Sequence, residues 1–156
     1  MANCLANRIA RGLVRHNRTV KVSFLHISDY AMVSQQNKLS VIGIFRDVYA
    51  ESVPSVFPPF KISVGLETDH DDADTEQAVT VRIIDADGRT LHEHNAMVSV
   101  PTVFDSQDLH VVGDYYGLPL PTFGEYCVEV WLNGLLAESK VMRVMPLPKP
   151  FHNPEA

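Results

Sequence analysis

Asn133-Gly134, set between two runs of alternating apolar residues, constrains the fold of this chain more than any other dipeptide in it. A type I′ turn needs positive φ at both central residues, and Asn-Gly meets that need at the least steric cost. Before it, Tyr126, Val128, Val130 and Leu132 fall at every second position, the period of a strand with one buried face. A second run, residues 135–145, follows at once, as a hairpin partner does. The pattern predicts an antiparallel hairpin with Tyr126, Val128 and Val130 on a core. Cys127, Glu129 and Trp131 share the opposite face.

The rest of the chain reads in the same way. Residues 20–27 are rich in β-branched and aromatic side chains and form the expected first strand. Residues 39–45 are apolar on both faces, the pattern expected of a central, buried strand. Pro54, Pro58 and Pro59 cannot donate to a ladder, so residues 54–59 are expected as a crossing loop. Phe60, Ile62, Val64 and Leu66 alternate with polar or small residues, as do Val79, Val81 and Ile83. Asp87-Gly88 is a second hairpin turn, with residues 90–100 returning, and residues 109–112 are a weaker strand.

The predicted fold is therefore all-β, an antiparallel β-sandwich (immunoglobulin-like or similar) of about seven to eight strands, with an open barrel as the alternative. Residues 20–145 form the predicted sandwich domain. Residues 1–19 are a basic N-terminal extension, disordered or a short amphipathic helix, with Leu5, Ile9 and Leu13 opposite four arginines. Residues 146–156, with Pro146, Pro148, Pro150 and Pro154, are a loose tail.

Charge narrows the function classes. The chain carries −6 overall, and residues 1–18 hold four arginines and no acid, which leaves −10 on the remainder. An acidic body is a poor match for a phosphate backbone, so nucleic acid is not an expected partner. No apolar run reaches the roughly 18 residues of a membrane span, and no signal-type segment is present. The two cysteines, Cys4 and Cys127, are read as an unlinked pair, with Cys127 a small buried hydrophobe and the cytoplasm the expected compartment.

Few residues carry chemistry. The acidic stretch 67–76 offers Asp69, Asp71, Asp72 and Asp74 as calcium ligands, although the EF-hand order and its glycine are absent. A solvated loop is the better reading. The acidic turn at Asp85 and Asp87 lies at the far end if residues 60–67 and 77–84 pair. His92 and His94 share one strand face and would need His26 or His110 as a third metal ligand. No Gly-x-Ser-x-Gly elbow, glycine-rich phosphate loop or activated cysteine appears, so no catalytic or cofactor-binding residue is assigned. Trp131, Tyr115, Tyr116 and Phe57 are the candidate partner contacts.

Residues 20–31, Val-Lys-Val-Ser-Phe-Leu-His-Ile-Ser-Asp-Tyr-Ala, and 38–45, Lys-Leu-Ser-Val-Ile-Gly-Ile-Phe, resemble the opening of a bacterial family of small β-proteins known only as a domain of unknown function. Asp85-Ala86-Asp87-Gly88 and residues 123–130 extend the resemblance to about residues 20–145. It implies the same sandwich and supplies no catalytic residue to carry over. Family members begin near Val20, with methionine there. The expectation that follows is that residues 1–19 stem from an upstream start codon, which the intact mass of the natural protein decides.

The expected function is a non-catalytic binding or assembly module with no cofactor. Its partner would be another protein or a second copy of the chain. The alternative is a ligand-binding sandwich, for calcium through residues 67–76 or for a sugar or other small molecule through the aromatics. An enzyme of unknown class comes third.

Overall fold

A computed structural model describes residues 20–102 and 106–149. The basic extension lies outside the described residues, as does the tail beyond residue 149. In chain order the strands are β1 (Lys21–Val33), β2 (Leu39–Ile44), β3 (Asp47–Ala50), β4 (Ser55–Val56), β5 (Phe60–Asp69), β6 (Glu76–Ile84), β7 (Thr90–Ser99), β8 (Ser106–Tyr115), β9 (Pro119–Leu120), β10 (Gly124–Leu132) and β11 (Leu135–Pro146). One 3-10 turn, His70–Asp72, follows β5.

The strands build an all-β sandwich. One sheet has the order β2-β1-β5-β8 and the other β3-β11-β10-β6-β7, while β4 and β9 form a separate short pair. Every pairing is antiparallel except β3 with β11. Antiparallel partners share a face, so the register places the core. Phe60, Ile62, Val64 and Leu66 of β5 face inward opposite Val79, Val81 and Ile83 of β6 and Tyr126, Val128, Val130 and Leu132 of β10. The period-2 pattern of these three strands is what a sheet covered on its inner face requires.

Both expected hairpins form. Leu132 pairs with Leu135 across Asn133 and Gly134, whose φ values of 49° and 79° are those of a type I′ turn. Asp85 closes the other hairpin: its Oδ1 accepts from the amides of Asp87 and Arg89 at 2.9 and 2.8 Å. The entry to β10 is fixed by a tyrosine corner. The fully buried Tyr126 donates its hydroxyl to the Thr122 carbonyl at 2.6 Å and accepts from the Thr122 amide at 3.3 Å.

Several expectations are corrected. Among the described residues there are eleven strands, not about seven to eight, because β3, β4 and β9 are too short to show a period in sequence. Ser55–Val56, expected within a loop, pairs with Pro119–Leu120. β2 is an edge strand, not a central one, and a run apolar on both faces does not distinguish the two. β5 and β6 do not pair: they lie in opposite sheets, joined by the acidic segment crossing between them.

Removing the tyrosine corner is the direct test of this architecture. Tyr126→Phe keeps the buried ring and strips both hydrogen bonds at Thr122. It should lower stability by about 1–2 kcal/mol in urea unfolding, with the slope unchanged.

Candidate functional site

The outer face of the first sheet carries a cluster of side chains that lie outside the core between the sheets. Phe24, His26, Ser28, Tyr30 and Met32 alternate along β1 on the side opposite the buried Leu25, Ile27 and Ala31. Across the ladder Tyr30 faces Ile42 and Ser28 faces Ile44, so β2 adds two apolar side chains to the same face. Tyr30, Met32, Ile42 and Ile44 are 47, 45, 63 and 54% exposed. That cluster stands above the scattered single apolar residues of an ordinary surface.

Beside the patch lies a row of rings. Phe24 stacks on His26, with centroids 5.0 Å apart and planes 18° from parallel, and meets His110 at 5.9 Å. The row exists because Phe24 lies across Gly65 of β5, where any Cβ would collide with its ring. Lys61 holds its ammonium 5.8 Å from the Tyr30 ring and forms an ion pair with Asp114. The Asp114 hydrogen bond is the main cause that raises the lysine's pKa above its ordinary value.

Beside the N-terminal half of β1, which β2 does not pair, a cleft of about 250 Å³ lies next to β11, lined by Phe24, Leu25, His26, Glu138, Ser139 and Lys140. Glu138 and Lys140 sit opposite Val130 and Val128, so both belong to the inward face of β11. The Lys140 ammonium donates to the Leu25 carbonyl at 2.5 Å. Burial, then the nearby Arg46, pushes the Lys140 pKa down, while Glu138 opposes the shift. Burial, then Lys140, lowers the His26 pKa. His26 Nδ1 is buried with no hydrogen-bond partner among the described residues.

The residues singled out in sequence are dispersed. Tyr115 is a correction: expected as a surface contact, it is 3% exposed, stacked on Phe60 at 5.3 Å, with its phenol pKa raised by burial. Phe57 is half-buried against Phe45 and Phe60, with ring centroids at 5.6 and 5.3 Å. Tyr116 is exposed. Trp131 lies half-buried on the outer face of the second sheet, its ring 4.8 Å from the Arg82 guanidinium and its Nε1 donating to Glu129 at 2.9 Å. Cys127 is buried, 3% exposed, as expected, but it is disulfide-bonded, which corrects the reading of an unlinked pair; Cys4 lies outside the described residues.

The acidic segment is a built turn. Asp72 is buried, accepts from the Asp69 amide at 2.8 Å and offers its carbonyl to Thr75 Oγ1 at 2.5 Å. Asp74, at φ 58°, accepts from Thr102 Oγ1 at 2.7 Å. Asp69 and Asp71 are exposed. Among the described residues no group of three His, Cys, Asp or Glu side chains is placed to hold a metal ion. His92 and His94 do share a face, the inner one, edge-on to Tyr115 at 5.1 and 6.4 Å. His26 and His110 stand on the outer face of the other sheet, so neither completes a set with them.

Sequence reasoning passed over Ile42 and Ile44 because their run reads as a buried strand, and over Tyr30 and Met32 because they lie beyond the expected end of the first strand at residue 27, which continues to Val33. Lys140 had one available signal: a cation on the inward alternation of β11. Among the described residues no helix is long and apolar enough to cross a membrane.

Comparison with known proteins adds the following. The model of "Family of unknown function (DUF6941)" matches residues 23–145. None of the curated protein sequences matches the chain. Among solved structures it is similar to the alkylpurine DNA glycosylase AlkC of Pseudomonas fluorescens, with TM-score 0.43 and 13% identity over 81% of this chain and 30% of that one. This chain thus spans less than a third of the glycosylase chain. It is also similar to an immunoglobulin-like protein from Pseudomonas aeruginosa, with TM-score 0.35 and 14% identity over 81% and 97% of the two chains. A third similarity is to the C-terminal domain of wzt, with TM-score 0.43 and 12% identity over 85% and 75%.

The His26 environment has a pH signature. Its pKa in the folded state lies below the unfolded value of about 6.5, so the unfolded chain takes up the proton first as pH falls. The group costs nothing above pH 6.5 and destabilises the fold progressively below it. Denaturant midpoints measured from pH 7.5 to 5 should therefore fall more steeply for the wild type than for His26→Phe.

Proposed function

The chain belongs to that family of unknown function, and on that premise we propose that it is a non-catalytic module that docks another protein through β1 and β2. The observation that carries this reading is the coincidence of an exposed apolar patch with an uncharged sheet edge. Tyr30, Met32, Ile42 and Ile44 supply the patch, and Leu39–Ile44 supplies the edge.

Edge strands expose unpaired amides and carbonyls, and natural sheets blunt them with charge, proline, bulges or brevity. β7 carries Glu93 between two histidines, β8 carries Asp108 and Asp114, and β3 is four residues long with Asp47 bonded to Arg143. β2 holds no charge in six residues. Its single irregularity is Gly43, at φ 69° against the Asp29 side chain, near the C-terminal end of the strand. An extended strand of a protein partner fits this edge. Main-chain hydrogen bonds along residues 39–42 would supply affinity, and the apolar side chains would supply the pocketed contacts.

The alternative of a calcium or sugar site draws no support from the candidate residues, since Asp72 is engaged in its own turn and Tyr115 is buried. The docking reading predicts the behaviour of the double variant Ile42→Asp/Ile44→Asp. Both side chains are exposed, so its folding stability should change little, by about 0.5 kcal/mol. Binding of a captured partner should weaken at least roughly thirtyfold, as for a central contact. Met97→Asp, on the exposed face of β7, should leave it unchanged. Hydrogen exchange in the complex should slow at residues 39–44. Unaltered binding by the double variant, or protection confined to other strands, rejects the proposal.

A further inference from the structure

We propose that the strand docked by β2 is an apolar segment with an acidic residue at each end, paired antiparallel along residues 40–42 and held at its ends by Lys38 and Arg46. The proposal rests on the docking reading and names the chemistry of the partner.

The ladder decides which backbone groups are free. The Phe45 amide donates to the Ile27 carbonyl at 3.0 Å, and the register sets Val41 opposite Ala31 and Ile42 opposite Tyr30. Hydrogen-bonded and non-hydrogen-bonded pairs alternate along an antiparallel ladder. Leu39 and Val41, at the same alternation as Phe45, therefore turn their amides and carbonyls toward β1. Ser40 and Ile42 turn theirs to the open edge, where no other described strand pairs. A strand added there meets Ser40 and Ile42 as hydrogen-bonded pairs, and its side chains opposite them lie on the outer face beside Tyr30 and Met32. Tyr30, Met32 and Ile42 are exposed, so apolar partner residues at those alternate positions bury surface on both sides.

Charge sets the ends. Lys38 immediately precedes β2 and Arg46 follows it closely, both are exposed, and neither forms an ion pair with another described residue. The acids nearest to β2 in sequence are turned elsewhere. Asp47 binds Arg143 at 2.7 Å, and Asp29 lies against Gly43 on the face of β1 opposite Tyr30. An uncharged edge is thus bracketed by two cations in a chain of net charge −6. That arrangement selects acids at the two ends of a partner strand and repels cations there. It also disfavours a second copy, because pairing two β2 strands about a two-fold axis at Val41 brings Lys38 of each toward Arg46 of the other.

The probe is the peptide Glu-Thr-Val-Thr-Val-Thr-Val-Thr-Glu, acetylated and amidated, titrated into the full chain and read by amide chemical shifts. Paired antiparallel, its valines fall opposite Ser40, Ile42 and Ile44 and its glutamates opposite Lys38 and Arg46. The same peptide ending in lysines should bind at least roughly tenfold more weakly, and Lys38→Glu/Arg46→Glu should reverse that preference. Methylating the three valine amides should abolish binding, since those groups face the edge. Should the double variant fail to fold, the two peptides and the loss of their difference in about 0.5 M salt still decide. Equal affinity for the two peptides overturns the proposal; if Ile42→Asp/Ile44→Asp weakens both alike, the docking reading stands without it. Absence of binding by either peptide at millimolar concentration also overturns it, while capture of a partner still tests the docking itself. Concentration-dependent dimerisation that slows exchange at residues 39–44 makes a second copy the occupant and overturns it as well.

Discussion

The inward rows of β5, β6 and β10 hold this molecule together, and the remaining strands are arranged around them. Ile62, Leu66, Ile83, Tyr126, Val128 and Val130 are almost wholly removed from water. Each fully buried side chain of this size contributes about 1.5–3 kcal/mol relative to exposure. Because β5 lies in one sheet and β6 and β10 in the other, these rows bring the sheets face to face. Tyr126 adds a directional constraint, since its hydroxyl binds the backbone of Thr122 and so fixes how the chain enters β10.

That core leaves the margins of the sandwich with different characters. At β7 and β8 the inner face is closed by Tyr115, with Phe60 stacked on one side and two histidines edge-on. At β1 and β11 the closure is incomplete, because β2 covers only the C-terminal half of β1. Lys140 answers one exposed carbonyl there, and the cleft beside it is the space that remains. The outer face of β1 then continues into the apolar patch.

Much of the strand framework was legible in the chain. Asn133-Gly134 and Asp87-Gly88 announced their hairpins because each dipeptide meets a local φ requirement. The alternation at residues 60–66 and 126–132 identified the core face correctly, since the period of a strand is a local property. The candidate site was far less legible. Tyr115 and Phe57 have the composition of surface contacts, and their burial comes from Phe60 and Phe45. Asp72 reads as a solvated acid, and its burial comes from the turn that its own carboxylate helps to form. Ile42 and Ile44 read as core, and their exposure comes from lying on the outer face of an edge strand.

The sequence by itself determined the all-β class, the hairpin turns and which alternate residues face inward, because dihedral preference and period-2 patterning act over a few residues. Tertiary structure decided which strands are central and which are edges. It also decided that β3 pairs in parallel with β11, where Asp47 meets Arg143 across 96 residues of chain. Such neighbours come from distant segments, and the exposure of a side chain depends on those neighbours rather than on its own identity. The Asn133-Gly134 hairpin could therefore be assigned from a handful of residues. The cleft at Lys140 appeared only when β1 and β11 were placed side by side.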